Sequence, residues 1–351
     1  MVIKTFLRKS FLLGARFSGL AHLLSSKLEG RGAILMLHRV SRKTSTGSIN
    51  SFLSVSPKFL DEALTLLRRS GYVFCSIDEI GARLRDSIDP EQKFLAVTLD
   101  DGYRDNMTTA KPIFEAHRVP YTIYVCPGFA DRYAHLWWEN LATIIENQNR
   151  IAFPTGDGMG WLDCDTNARK QAAYDKLCDF VTNDLDEHEQ RRFVDDLCVA
   201  YGLDPKAHVD AEMMNWDELR LINQSRLCTI GAHTLNHFHL ARLDRDEAVR
   251  EMEQSATAIA LELGERPKHF AFPYGSSKAA GRRETDIARE LGFETAVTTR
   301  HGLLHAKHAN ALHGLPRISM NGNYQRPVYL RTLLNGIAVP FANRGSRFVT
   351  T

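Results

Sequence analysis

The stretch from Phe94 to Asn106, F-L-A-V-T-L-D-D-G-Y-R-D-N, constrains this chain more tightly than any other. It opens as an apolar run, Phe94-Leu95-Ala96-Val97, continues through Thr98 and Leu99, and ends in two adjacent carboxylates, Asp100 and Asp101, before Gly102. A short apolar run bounded by a turn signal reads as a buried strand. Desolvated carboxylates are costly unless they are paired or bind a cation. Successive strand residues point to opposite faces, so two adjacent acids diverge along a regular strand. At the strand's end the backbone can turn, and both acids can then reach one site from different sides. An ordinary solvated Asp-Asp-Gly turn satisfies the same pattern. The stretch alone leaves both readings open.

A second stretch lies far downstream. Cys228 to His237 reads C-T-I-G-A-H-T-L-N-H, another short apolar run leading into two histidines. His233 and His237 are four apart, so on a helix or helical turn they share one face. Two imidazoles and one carboxylate make a ligand set for a divalent metal with an open position. Surface histidines at helical spacing give the same pattern. Around these stretches, strand and helix patterns alternate. Ala33 to Val40 reads as a first core strand that ends at His38, and Tyr121 to Cys126 as a strand closed by Pro127-Gly128. Ser56-Pro57 starts a helix, and Leu243 to Leu263 forms another that Gly264 stops. Such alternation suits a parallel sheet or barrel, where catalytic groups gather at the C-terminal ends of the strands.

T-L-D-D-G-Y, H-T-L-N-H and F-P-Y-G (Phe272 to Gly275) resemble, in the right order, the first three motifs of the polysaccharide deacetylases. These are the family-4 carbohydrate esterases, which include the nodulation-type chitooligosaccharide deacetylases. The resemblance runs from about Ile34 to Ile318, around a long insertion. It implies an α/β fold, a distorted (β/α) barrel of about seven parallel strands with a mainly helical insertion. It implies a divalent metal, zinc first among the candidates, held by Asp101, His233 and His237. Asp100 would be the general base, the backbone N–H of Tyr274 an oxyanion donor, and Pro273 and Tyr274 contacts to substrate. The implied reaction removes N-acetyl groups from an amino sugar in an oligo- or polysaccharide. Two alternatives stand beside it: deformylation of a lipid-linked amino sugar, and a non-catalytic glycan-binding protein on the same scaffold.

The sequence departs from the family's pattern in places. The arginine usually found shortly before the Pro-Tyr is replaced by Phe270-Ala271-Phe272. Arg317, in Leu315-Pro316-Arg317-Ile318, is the substitute, or else a surface arginine. No late Leu-x-His motif is evident. One branch of the family carries an early apolar-apolar-His instead, which makes His38 the general acid and His313 the runner-up. The family's Asp-Trp motif is absent.

The remaining segments are read from composition. From about 131 to 215 the barrel rhythm stops, and a helical insertion is expected to cap the site and shape substrate choice. Its Trp137 and Trp138 are candidates to stack on a sugar ring, or else lid packing. Residues 32–338 are expected to form the barrel with that insertion, and 339–351 a poorly ordered tail. In residues 1–31, Lys4, Arg8, Lys9, Arg16, Lys27 and Arg31 face a single acid, Glu29, and apolar residues interleave them. This basic amphipathic segment is too short to span a membrane and shows no clear cleavage site. It lies on a membrane surface or packs on the protein itself. Apolar content of 44% and charged content of 25% are ordinary for a globular protein, and a net charge of +2 gives no strong field for nucleic acid. The six cysteines are scattered, with no C-x-x-C pair, as in a reducing compartment. That points to the cytoplasm, at the inner membrane face if the N-terminal segment lies on lipid.

Overall fold

The computed structural model describes residues 9–10, 12–14, 28–41, 48–85, 92–155 and 158–351. Most of the basic segment 1–31 therefore lies outside the described residues. Among them are twelve strands: β1 Gly32–Leu37, β2 Arg39–Val40, β3 Ser54–Val55, β4 Val73–Phe74, β5 Phe94–Leu99, β6 Tyr121–Val125, β7 Arg150–Thr155, β8 Gly158–Asp163, β9 Cys228–Ala232, β10 His269–Ala271, β11 Thr295–His301 and β12 Leu315–Ser319. Seven of them close a ring in the order β1-β12-β11-β10-β9-β6-β5, because β5 pairs back onto β1. Every pairing in the ring is parallel. β4 adds to the start of β5. The α/β barrel of seven parallel strands expected from the motifs is the observed fold.

Period-two alternation along the strands sorts the side chains. Leu35 and Leu37 of β1, Leu95, Val97 and Leu99 of β5, and Phe270 of β10 pack outward with the surrounding helices. Ile34, Phe94, Ala96, Tyr124, Ala271, Val297 and Leu315 form a separate interior cluster. Both faces of each strand are covered, which is why these runs are nearly continuous in apolar residues. The register Gly32↔Phe94 through Leu37↔Leu99 aligns the ends of β1 and β5. The register Tyr121↔Cys228 through Val125↔Ala232 does the same for β6 and β9. Asp100, His38 and His233 thus leave the barrel at the same end.

The segment between the helix Pro127–Ala130 and the helix Trp216–Asn223 is helical apart from one antiparallel hairpin, β7–β8. Its helices Trp137–Asn147, Asn167–Asn183 and Glu187–Ala200 share a core of their own. That core also takes in Tyr103, Cys126 and Phe129 from the loops of the barrel mouth. One expectation is corrected. Residues 339–351 read as a poorly ordered tail, yet the chain forms a helix over Ala338–Ala342 and buries Val339 and Val349. The Val349 carbonyl meets His308 Nε2 at 2.9 Å, and the Thr350 carbonyl accepts from Arg300.

Gly231 shows how tightly the barrel interior is filled. A Cβ there would lie 2.4 Å from the Tyr124 ring and 3.0 Å from the His269 carbonyl oxygen. The ring is fully buried and has nowhere to move. Gly231→Ala is expected to destabilise the protein by about 1–3 kcal/mol, the usual cost of overpacking. Urea unfolding should show a lower midpoint with an unchanged slope; an unchanged midpoint would contradict this packing.

Candidate active site

Asp100 follows β5 in register, and its N–H donates to the Leu37 carbonyl at 3.0 Å. Its side chain points into the barrel mouth, as alternation from Phe94, Ala96 and Thr98 requires. Asp101 would then point outward, but its φ is +74 and that of Gly102 is +84. Two successive left-handed residues swing the chain round. Glycine takes this conformation freely and aspartate more readily than most residues. Both acids end at one site.

The two histidines arrive from β9. His233 continues the strand, its N–H bonded to the Val125 carbonyl at 3.0 Å. His237 does not sit on a helical turn, contrary to what the four-residue spacing suggests. The chain from His233 to His239 is a loop in which Thr234 (φ +59) and His237 (φ +56) are left-handed. Glu251, on the helix Arg245–Leu263, ties down this loop. Its carboxylate accepts from the backbone N–H groups of Leu235 (3.1 Å) and Asn236 (2.9 Å) and from Asn236 Nδ2 (2.6 Å).

The result is a compact donor set. The Nε2 atoms of His233 and His237 lie 3.3 and 3.4 Å from Asp101 Oδ1, and all three side chains are buried. Among the described residues, no other group of His, Cys, Asp and Glu gathers closely enough to hold an ion. One ligand atom from each of the three falls within 4.8 Å of the others. Bond lengths near 2.0–2.2 Å to nitrogen and oxygen fit that spread. The tautomer also fits. His233 Nδ1 lies 2.7 Å from the Ala271 carbonyl, which can only accept, so Nδ1 carries a proton and Nε2 is the nitrogen that would give up its own to present a lone pair to an ion.

Asp100 stands beside this set with its own partner. Arg317 Nη1 and Nη2 donate to Asp100 Oδ1 and Oδ2 at 2.7 and 2.6 Å. Arg317 Nε donates to the Thr298 carbonyl (2.9 Å) and Nη1 also to Thr98 Oγ1 (3.1 Å). The arginine is 1% exposed, so it is no surface residue. Burial pushes the Asp100 carboxyl up, but Arg317 outweighs it and holds the group below its ordinary range. Burial likewise pushes Asp101 up, and the two imidazoles outweigh it and hold it well below. Burial pulls both histidines down. For His233, facing both carboxylates, the net shift is upward; for His237, beside His233 and Arg191, it is downward.

The other expected residues fall in different places. His38, half-buried at the end of β1, acts on both Asp100 and Asp101 electrostatically. Its carbonyl accepts from Asn106 Nδ2 at 2.9 Å, at the start of a π-helical stretch Asn106–Ala110. His313 is excluded from the site. It precedes β12, so it lies at the opposite end of the barrel, where its Nε2 is 2.7 Å from the Phe293 carbonyl. Pro273 and Tyr274 reach the mouth after β10. Tyr274 is left-handed (φ +60), and its ring centroid is 5.4 Å from that of His237. Trp137 and Trp138 are not open platforms for a sugar: they are 6% and 8% exposed. Trp138 packs 5.0 Å from the His237 ring, and its Nε1 donates to Tyr103 Oη at 3.0 Å. Next to Arg317 a cavity of about 1080 Å³ opens, lined by Met36, Ser276, Thr299, Ser319, Asn321 and Tyr324 among others.

Three residues of the site escaped the sequence reading: Glu251, Glu187 and Arg191. Glu251 precedes Met252 on the apolar side of its helix, which was a signal. The other two sit in a run of charges that looks like a solvated face.

Comparison with known proteins follows the same lines. A family model described as polysaccharide deacetylase matches residues 180–296, which include His233, His237 and Tyr274. YxkH of Bacillus subtilis, provisionally named a polysaccharide deacetylase, is 26% identical over 126 residues. That match takes in 36% of this chain and 43% of YxkH, so the chain spans under half the length of this curated relative. The Streptococcus pyogenes deacetylase PplD, solved in complex with acetate, superposes with a TM-score of 0.57 at 20% identity, over 86% of this chain and 97% of that one. A de-N-acetylase from Aggregatibacter actinomycetemcomitans gives a TM-score of 0.55 at 15% identity, over 86% and 99%. At these identities the structural likeness concerns the fold.

The Asp100–Arg317 pair sets a stability prediction. Arg317→Met leaves a buried carboxylate without its cation, which costs about 3–5 kcal/mol. The sign with pH follows from the lowered Asp100 pKa. In the wild type the pair's contribution is present above the ordinary carboxylate range and is lost only as pH falls through the lower folded value. In the variant, Asp100 takes up its proton at higher pH, so the deficit shrinks on acidification. Denaturation at a series of pH values measures this, and equal stability at neutral pH would contradict it.

Proposed function

We propose that the chain is a polysaccharide deacetylase, a metal-dependent hydrolase removing N-acetyl groups from an amino sugar in an oligo- or polysaccharide. The observation that carries the reading is the buried set Asp101, His233 and His237, with Asp100 beside it in the grip of Arg317. Asp101 and the two Nε2 atoms would hold the ion, zinc first, though the same donors suit other divalent metals. When bound, it would polarise the acetyl carbonyl and lower the pKa of a water molecule.

The remaining steps belong to the protein's own residues. Asp100 is the general base: Arg317 keeps it ionised and fixed, and each carboxylate oxygen retains a lone pair to receive the water's proton. The backbone N–H of Tyr274 is the donor to the developing oxyanion. The Tyr274 carbonyl is tied to Thr299 Oγ1 at 2.7 Å, which steadies that turn. His38 delivers a proton to the departing amine as the amide C–N bond breaks. Acetate and a free amino sugar leave. Acetate is also what the PplD structure holds.

Under this reading the protein works in the cytoplasm with the basic N-terminal segment reaching the membrane surface, although Leu12 is buried and the Arg31 N–H donates to the Leu304 carbonyl of the barrel. No described helix is long and apolar enough to cross a membrane. Deleting residues 1–31 should move the protein from the membrane fraction, from which carbonate strips the full-length chain, to the supernatant, and unchanged partitioning would contradict the membrane contact. The catalytic assignment has its own test. Asp100→Asn should still bind one divalent ion per chain, yet release acetate on the order of a hundredfold more slowly or worse, the scale of general acid–base terms. Undiminished turnover in that variant would refute the role.

A further inference from the structure

We propose that Arg191 and Glu187, on the inserted helix Glu187–Ala200, are positioning residues that hold His237 against Asp101, an inference that rests on the metal-dependent reading above. Beyond His233, the loop to His239 continues no strand, and two of its non-glycine residues are left-handed. Such residues persist only where their surroundings over-determine them. The barrel does this for the first half of the loop, through Glu251 on Leu235 and Asn236. The second half is held from the insertion.

Arg191 Nη2 donates to the His237 carbonyl at 2.8 Å and, at 3.4 Å, to that of Asn236. The His239 N–H donates to Glu187 Oε2 at 3.0 Å, and Arg191 Nη1 donates to the same oxygen at 2.8 Å. The guanidinium also stands 4.5 Å from the Phe238 ring centroid. His237 is thus bracketed, its own carbonyl on one side and the N–H two residues later on the other. Glu187 is 2% exposed, so its carboxylate depends on these donors as much as they depend on it. A guanidinium can bond two successive carbonyls and a carboxylate at once; an ammonium lacks the planar fork to do so. The insertion therefore does more than roof the site. It completes the metal centre from outside the barrel, by fixing a backbone conformation that the loop would not keep alone. Outer partners of this kind usually change metal affinity by about 10–100-fold when removed.

The test uses the full chain, stripped of metal and titrated with zinc against a competing chelator, together with amide hydrogen exchange of the metal-free protein. In Arg191→Ala, zinc binding should weaken by about 10–100-fold. Arg191→Lys and Glu187→Gln should lose less, and Arg169→Ala, an exposed site on another inserted helix, should match the wild type. The His239 amide should exchange faster in metal-free Arg191→Ala, while the Leu235 and Asn236 amides keep their protection. A folded Arg191→Ala or Arg191→Lys protein with wild-type zinc affinity and wild-type exchange at His239 would overturn the proposal. If the wild type itself binds no zinc, the metal-dependent reading fails on its own, and the exchange at His239 still decides whether Arg191 holds the loop.

Discussion

Two carboxylates buried side by side at the end of one strand are tolerated only because each has its own partner. Asp100 has the two nitrogens of Arg317, and Asp101 has the two imidazoles. Either acid without its partner would be protonated or would destabilise the barrel. The rest of the molecule follows from keeping these pairs apart yet adjacent. β12 must run beside β1 so that Arg317 crosses the interior to β5. β9 must run beside β6 so that His233 emerges next to Asp101. The left-handed turn at Asp101 and Gly102 then brings the second acid round to the histidines.

The division of labour has a chemical consequence. A carboxylate held by a buried guanidinium stays ionised and fixed but retains lone pairs, which suits a proton acceptor. A carboxylate between two neutral nitrogen donors suits a cation. Neighbouring acids of one sequence motif are thus pushed toward different tasks by their surroundings alone. The insertion contributes to one of these tasks and not the other: it touches the His237 loop and Tyr103, and nothing in it reaches Arg317 among the described hydrogen bonds.

Much of this was legible in the sequence, for identifiable reasons. The barrel strands are apolar on both faces, so their runs stand out, and Asp100, Asp101 and His233 sit at their ends. Arg317 was visible as a cation near the last strand, but only the closed ring shows that it reaches Asp100. The conformation of His237 was not legible, because a four-residue spacing suggests a helical turn and says nothing of left-handed backbone. Glu187 and Arg191 were hidden for another reason: a sequence pattern reports charge, and their burial arises only when the insertion meets the loop. For Trp137 and Trp138 the sequence leaves sugar contact and lid packing both open, and their burial goes with packing. The packing of residues 339–351 rests on a few apolar residues among polar ones, too few to register as a periodic element.

The most direct measurement is acetate release from a panel of N-acetylated oligosaccharides, by protein stripped of metal and then given zinc. The proposed centre should give no release from the stripped protein and release restored by about one zinc per chain. Acetate released equally with and without metal, or none across the whole panel from a protein that binds zinc tightly, would overturn the proposal that Asp100, Asp101, His233 and His237 form a metal-dependent deacetylase centre.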